Sequence, residues 1–270
     1  MSPCPPITIA STSFTGTSNS LAKNNLKESY IVYGVNNCIA VLNSDIKLEI
    51  KYIYLDKSSK IFKSNKFDSY LSDKKYSIKY LDTKNFKKLF LNKHSQGIAI
   101  EFSYDFYNDI FLKNEFSKNE CLLMLDQVSD PQNFGQIIRT AECAGINGIV
   151  IPKNNSVKVT NTVLQVSQGG FLNIPIYMQI NLKSTIEFLK SKGFWVVGVE
   201  NGVDAKQWYE LDYSGKIVFV LGSEGQGIRQ LIKKNCDFLA TIKMNGHIDS
   251  LNVTAATSII LFERQRQLSN

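Results

Sequence analysis

The amino-acid sequence predicts an α/β protein in two parts: a small α/β domain over residues 28–105 and a larger one over 121–270, built on a parallel sheet. Three observations carry this. Short apolar runs alternate with amphipathic stretches of helical period from Tyr30 almost to the end, as in chains assembled from βα units. The run C-L-L-M-L-D at 121–126 is apolar up to its last residue, which suits a strand covered on both faces. Between the two regular parts, residues 106–120 mix aromatics with charges and keep no period, so they read as a linker. A chain of 270 residues has core enough to fold without disulfides or metals.

In the first part, Y-I-V-Y-G-V-N-N-C-I-A-V-L-N reads as a short strand, a turn and a helix to Val41. Residues 50–55 (I-K-Y-I-Y-L) follow as a strand, 61–71 as a helix and 77–80 as a second short strand. Thr83 is placed to N-cap a helix to Leu91, and G-I-A-I-E-F at 97–102 closes the domain as a strand.

In the second part, the strand at 121–126 leads into V-S-D-P-Q-N-F-G. There Asp130 as N-cap and Pro131 at the first helical position start a helix that ends at Ala144, before Gly145. A strand at 149–151, a helix at 160–168, a strand at 174–177 and a helix at 182–192 come next, the last bracketed by Asn181 and Gly193. Strands at 194–199 and 217–222, a short helix ending at Lys233 and a strand at 239–242 complete the alternation. The final stretch from Asp249 becomes an amphipathic helix, with Val253, Ala256, Ile259, Ile260 and Phe262 supplying apolar faces and Arg264 and Arg266 directed to solvent near its C-terminus. Pattern alone implies a doubly wound, Rossmann-like sheet.

A formal charge of +7 suits a polyanionic partner. Lysines interleave with tyrosines in K-Y-I-Y-L-D-K-S-S-K and K-K-Y-S-I-K-Y; solvated faces and RNA contact are equally open there. Five scattered cysteines (Cys4, Cys38, Cys121, Cys143, Cys236) form no C-x-x-C pair and read as reduced core thiols of a cytosol-like compartment. His94 and His247 have no ligand spacing to a cysteine or acid, so no metal site is expected. No run approaches the roughly eighteen apolar residues of a membrane span. Residues 1–27 are Ser/Thr-rich and lack the features of a signal peptide or mitochondrial leader. They are expected as a disordered tail in a cytoplasmic protein, with targeting to an organellar matrix as the alternative.

Three blocks carry chemical signals: L-D-Q-V-S-D-P-Q-N-F-G-Q-I-I-R-T-A-E-C-A-G at 125–145, F-V-L-G-S-E-G-Q-G-I-R at 219–229, and the S-L-N turn before the last helix. The glycines at 222, 225 and 227 directly follow a buried strand, where they let a ligand approach backbone amides. The loop lacks the Lys-Ser/Thr of a P-loop and the spacing of a dinucleotide site. Taken by itself, Ser250 reads first as an ordinary N-cap. Asn133 and Arg139 lie about 240° apart round an ideal helix, so they converge only if Asn133 precedes or begins it, which Pro131 allows.

In this order the three blocks resemble the three motifs of the SpoU (TrmH) family of RNA ribose 2′-O-methyltransferases, of the SPOUT superfamily. The opening Y-G-V-N-N-C-I-A-V-L-N looks like the start of the substrate-binding domain on some of these enzymes, related in fold to small kink-turn-binding ribosomal proteins. A dimerisation or folding appendage is its alternative role. The resemblance implies a C-terminal trefoil knot, S-adenosylmethionine as methyl donor, an RNA substrate and a homodimer paired across the C-terminal helix. It implies a donor site at Gly222, Glu224, Gly225, Ile242, Met244, Leu251 and Asn252, with Gln165, Ser167 and Gly169 resembling a weaker motif on the same pocket. It also implies Asn133, Arg139, Glu224, Ser250 and Asn252 as the catalytic polar set. Arg139 is often cast there as the base, but a guanidinium with a pKa above about 12 is a poor proton acceptor. A clamp on phosphate or hydroxyl suits it better, with Glu224 orienting Arg139 or Asn133. The domain layout most resembles enzymes that methylate a guanosine of large-subunit (23S-type) rRNA. A tRNA substrate is the second reading, and a non-catalytic RNA-binding protein the third. The sequence departs from the family pattern at His247 and Asp249.

Overall fold

The computed structural model describes residues 28–64, 67–72, 75–90, 95–201 and 205–269. The expected tail over 1–27, the expected helix end at Leu91, Cys4 and His94 lie outside the described residues.

The first part comprises β1 (Ser29–Tyr33), α1 (Val35–Leu42), β2 (Glu49–Asp56), α2 (Asp68–Leu71), β3 (Ile78–Leu81), α3 (Thr83–Leu89) and β4 (Ile98–Ser103). Its sheet runs β1-β4-β2-β3, with β4 antiparallel to both neighbours and β2 parallel to β3. Val35, Cys38 and Val41 of α1 enter the main core, while Phe86 and Phe90 pack with Ala99 in a separate cluster. The helix expected over 61–71 is reduced to a 3-10 turn at Phe62–Ser64 and the single turn of α2. Thr83 is not the cap of α3: Asp82, one residue earlier, accepts from Asn85 N at 2.8 Å. The Thr83 hydroxyl instead donates to the buried Asp56 carboxylate at 3.0 Å.

The second part is β5 (Tyr107–Asn108), β6 (Cys121–Asp126), α4 (Pro131–Cys143), β7 (Gly148–Pro152), α5 (Asn161–Val166), β8 (Ile176–Gln179), α6 (Leu182–Ser191), β9 (Trp195–Val199), β10 (Lys206–Gln207), β11 (Ile217–Gly222), α7 (Gln230–Lys233), β12 (Phe238–Thr241) and α8 (Val253–Leu268). Its strands form one parallel sheet in the order β10-β12-β9-β11-β6-β7-β8-β5. Part of the stretch read as a linker belongs to this sheet: β5 pairs with β8, and Ile110 is fully buried in the 3-10 turn that follows. A two-residue strand is too short to show alternation. The strand expected at 174–177 begins at Ile176, because Pro175 has no N–H to give a ladder; its carbonyl accepts from Ile149 N at 2.9 Å.

The last helix corrects one expectation. Arg264 does not reach solvent; it is 3% exposed, and its guanidinium donates to Asn119 O at 2.7 Å and Gly215 O at 3.4 Å. Arg266 is exposed and pairs with Glu263 at 2.8 Å, while Phe262 is half exposed. Not every thiol is in a core either: Cys38 and Cys121 are buried, Cys236 is half-buried and Cys143 is exposed. Burial pushes the Cys121 and Cys236 thiols up to about 12. Among the described residues no three His, Cys, Asp or Glu side chains gather as a metal site, and no helix is long and apolar enough to cross a membrane.

The two parts share one core. Phe102 of β4 stacks on Phe171 at 6.2 Å, and Phe106 meets both Tyr30 and Phe171 edge-on. Beside them, α5 closes the open edge of β1. Asn161 Oδ1 accepts from Ile31 N at 2.9 Å, and Gln165 accepts from Tyr33 N at 3.1 Å while donating to Tyr33 O at 2.9 Å. Side-chain amides thus take the place of a neighbouring strand.

Candidate active site

Adjacent β6 and β11 are in register, with Gly222 opposite Asp126 at their carboxyl ends. The loop after β11 starts and finishes at this point. Asp126, fully buried, accepts from Arg229 N at 2.9 Å and Arg229 Nε at 2.8 Å, which pins the loop's far end. Within it Gly227 N donates to Ser223 O at 2.9 Å, and the fold-back is so tight that a Cβ on Gly222 would stand 2.0 Å from the Gly227 carbonyl carbon. Glu200, just past β9, holds the other flank by accepting from Ile228 N at 3.1 Å and Lys233 Nζ at 2.9 Å.

Against this loop lies a cavity of about 470 Å³, closed by the segment from Ile242 to Leu251 and the first turns of α8. Of the expected donor-site residues, Gly222, Glu224, Gly225, Ile242, Met244 and Leu251 line it, as do Ser250 and Asp249. Sequence reasoning missed Val199, Glu200 and Asn201 on its wall. The signal was present, since ligands of open parallel sheets gather at strand carboxyl ends and β9 ends there. Asn201 also braces the atypical loop: its Nδ2 donates to Asp249 O at 2.9 Å.

At the cavity's edge three polar side chains meet. Glu224 Oε1 accepts from Asn133 Nδ2 at 2.6 Å and from Asn252 Nδ2 at 2.8 Å, and Asn252 Nδ2 lies 3.3 Å from Asn133 Oδ1. Asp130 accepts from Gln132 N, so α4 starts where expected and Asn133 sits in its first turn. Asn252, not Ser250, caps α8, its Oδ1 accepting from Thr254 N at 2.8 Å. Ser250 is thereby left on the cavity wall. Glu224 orients Asn133, not Arg139. Arg139 is exposed further along α4 and makes no hydrogen bond or ion pair among the described residues; its Cα lies 3.3 Å from where a Cβ on Gly170 would stand. The backbone entering α4 is unusual at Gln127, with φ 64, the kind of left-handed residue that clusters at sites.

Gln165, Ser167 and Gly169 do not line this cavity. Gln165 binds Tyr33, Ser167 is buried and donates to Leu164 O, and a Cβ on Gly169 would stand 2.8 Å from Ala40 Cβ. The chain leaves α5 through left-handed Gln168 and Gly169 toward α1, so this loop seats the first domain.

Residues 120–262 match the model of the SpoU rRNA Methylase family, and residues 31–107 match the one described as RNA 2′-O ribose methyltransferase substrate binding. The chain belongs to the SpoU methylase family. This SpoU methylase is 39% identical over 172 residues to a Staphylococcus saprophyticus protein provisionally named a TrmH family tRNA/rRNA methyltransferase, covering 62% of this chain and 69% of the relative. It is 40% identical over 176 residues to the 23S rRNA (guanosine-2′-O-)-methyltransferase RlmB of Pseudomonas aeruginosa, covering 64% of this chain and 71% of the relative. In fold it is similar to the SpoU methyltransferase AviRb from Streptomyces viridochromogenes, solved in complex with AdoMet: TM-score 0.77 and 18% identity over 90% of this chain and 91% of the other. The SpoU methylase is therefore an RNA methyltransferase on an α/β fold with a smaller N-terminal domain.

Proposed function

We propose that this enzyme transfers a methyl group from S-adenosylmethionine to a ribose 2′-hydroxyl in RNA, at a guanosine of large-subunit rRNA. The observation that carries the proposal is the hydrogen-bonded set Asn133–Glu224–Asn252 on the rim of a cavity lined by the glycine loop after β11. The wall fits such a donor. Nothing within 4 Å occupies the side-chain space of Gly225, while Ile242, Met244 and Leu251 offer apolar surface beside exposed loop backbone. An adenine recognised by backbone groups tolerates apolar side chains around it.

When bound, S-adenosylmethionine supplies an electrophilic methyl group. The chain's part is to hold the hydroxyl and take its hydrogen bond. Glu224 spends Oε1 on the two amides, which leaves Oε2 without a partner among the described residues. That oxygen is the open acceptor for a 2′-hydroxyl on the rim. Arg139, exposed and unpaired among the described residues, clamps substrate phosphate. The rRNA assignment draws on the relative from Pseudomonas aeruginosa; the Staphylococcus saprophyticus name, which covers both RNAs, makes tRNA the second reading.

Two measurements test this. S-adenosylmethionine at 100 times its Kd should stabilise the fold by about 2.7 kcal/mol, with no comparable effect from NAD or ATP. Nucleoside mass spectrometry of rRNA and tRNA from a strain lacking the chain should show one 2′-O-methylguanosine lost from the large-subunit RNA. Loss from tRNA alone selects the second reading, and loss from neither removes both.

A further inference from the structure

We propose that the cleft where the two domains meet, lined by Asn36, Asn37, Gln96, Gln165 and Gln168, is a second RNA-contacting site that takes one extruded base and reads its edge. The proposal rests on the RNA substrate proposed above and adds where, and by what chemistry, that RNA is read.

The cleft has a volume of about 300 Å³, the lower end of the range of about 300–1,000 Å³ for ligand sites, which favour domain interfaces. Neither domain makes it alone: Asn36, Asn37 and Gln96 come from the first, Gln165 and Gln168 from the second. Among the described residues its lining carries no charged side chain, only carboxamides, Tyr33, Val35 and Gly34. Such a wall offers donors and acceptors without favouring an anion or a cation. Nucleobase edges present that same mixture, and unpaired RNA bases are read by such groups once they are splayed out of the stack.

Among the described residues several of the amides keep an open donor or acceptor. Gln96 Oε1 accepts from Val35 N at 2.8 Å, and no partner for its Nε2 occurs among the described residues. Gln168 Nε2 donates to Gln165 O at 2.9 Å, leaving its Oε1 open, and Asn36 is exposed with no side-chain hydrogen bond among the described residues. In the wall, Asn37 is 2% exposed; its Nδ2 reaches Gln165 O at 3.3 Å, but its Oδ1 has no partner among the described residues. An unmet buried acceptor of this kind costs stability. Gln96 and Gln168 both have φ 52, left-handed backbone that is uncommon for glutamine.

The segment that carries Gln165 and Gln168 also packs against α4, the helix that carries Asn133. A Cβ on Gly135 would stand 2.6 Å from Val166 Cβ, so the end of α5 crosses α4 two residues after Asn133. After Gln168 the chain reaches Gly170, which lies against Arg139. An RNA strand held by Arg139 therefore passes near the loop that carries Gln168.

The test uses the full chain, the double variant Asn36→Ala/Gln168→Gly and two probes: an unmodified large-subunit rRNA transcript and a random-sequence RNA of equal length. Gly suits the left-handed position of Gln168, and Ala suits the first turn of a helix, so the variant should keep the wild-type melting temperature and S-adenosylmethionine affinity. Wild type should prefer the transcript. The variant should lose about tenfold in affinity for it, with random-RNA affinity and salt slope unchanged, because no phosphate contact is removed. If the variant keeps the full preference, or loses affinity together with salt slope, the cleft does not read a base. If wild type has no preference for the transcript, the rRNA assignment and the cleft proposal fall together. Should the double variant fold poorly, Asn36→Ala alone carries the test, with a loss of at least threefold expected and an unchanged preference overturning the proposal.

Discussion

Glu224 stands between two amides and one empty space, and its two carboxylate oxygens have different tasks. Oε1 takes hydrogen bonds from Asn133 and Asn252, which fixes the side chain; Oε2 remains for substrate. Glu224→Gln keeps a carbonyl acceptor but loses the charge and puts an NH₂ group in competition for the same space. Glu224→Ala also frees both asparagines. Single-turnover methylation should fall about tenfold in Gln, which still accepts a hydrogen bond, and about 10²–10³-fold in Ala, the larger loss being within the usual range for a group that assists proton transfer. Equal loss in both would leave only the charge at work. Arg139 has no hydrogen bond or ion pair among the described residues, so its replacement costs the fold little. As a clamp, Arg139→Ala should lower kcat/KM for RNA by about 10–100-fold, matching the loss of one charge-assisted hydrogen bond at about 1.5–3 kcal/mol. Arg139→Lys should fall between, with donor affinity unchanged in both. A Lys variant that overtakes wild type at high pH would instead identify position 139 as the base, since Lys has the lower pKa.

At the scale of elements, the site depends on how tightly the loop after β11 folds back. Gly222→Ala places a Cβ 2.0–2.3 Å from the Gly227 and Ile228 backbone, which must move the loop. It should destabilise the protein by at least about 1–3 kcal/mol and abolish S-adenosylmethionine binding by calorimetry; a variant that binds normally would mean the loop does not shape the cavity. This loop was legible in sequence because glycines after an apolar strand have few other uses, and the start of α4 was legible from Asp130 and Pro131. Elements decided by distant partners were not. Arg264 sits at a helical position that polarity assigns to water, yet the carbonyls of Asn119 and Gly215 draw it inward, and no local pattern places those loops. The family resemblance assigns Gln165 to the cavity lining, whereas it binds the edge of β1. Gln165→Ala leaves Tyr33 N and O without these partners, at about 1–3 kcal/mol for groups so placed. Amide exchange should rise across β1 while donor affinity stays at the wild-type value. Unchanged exchange there would place the domain seat in the Phe102–Phe171 contact instead.

For the whole molecule, the two domains divide charge and apolar surface unequally, and both imbalances bear on partners. Residues 28–105 hold thirteen lysines against nine acids, which suits a polyanion approaching from that side and makes RNA affinity fall steeply with salt. The exposed apolar groups of the second domain point elsewhere. α8 packs on α4 and β11, yet it leaves Phe262 50% and Leu268 37% exposed, and the loop before it exposes Ile248 at 75%. Scattered single apolar residues need no explanation, and Phe262 and Leu268, six residues apart on α8, stand about 240° round from each other, so Phe262 alone tests this helix as an interface. The homodimer proposed from the family resemblance uses this helix as its seam. Phe262→Glu should then give monomers by sedimentation equilibrium at micromolar concentration, without lowering the stability of the isolated fold, because half of the side chain is already in water. If the seam also completes the active site, methylation should fall in proportion to the dimer fraction and recover at high protein concentration. A wild-type chain that sediments as a monomer while fully active would remove the dimer from the mechanism and leave Phe262 as ordinary exposed surface.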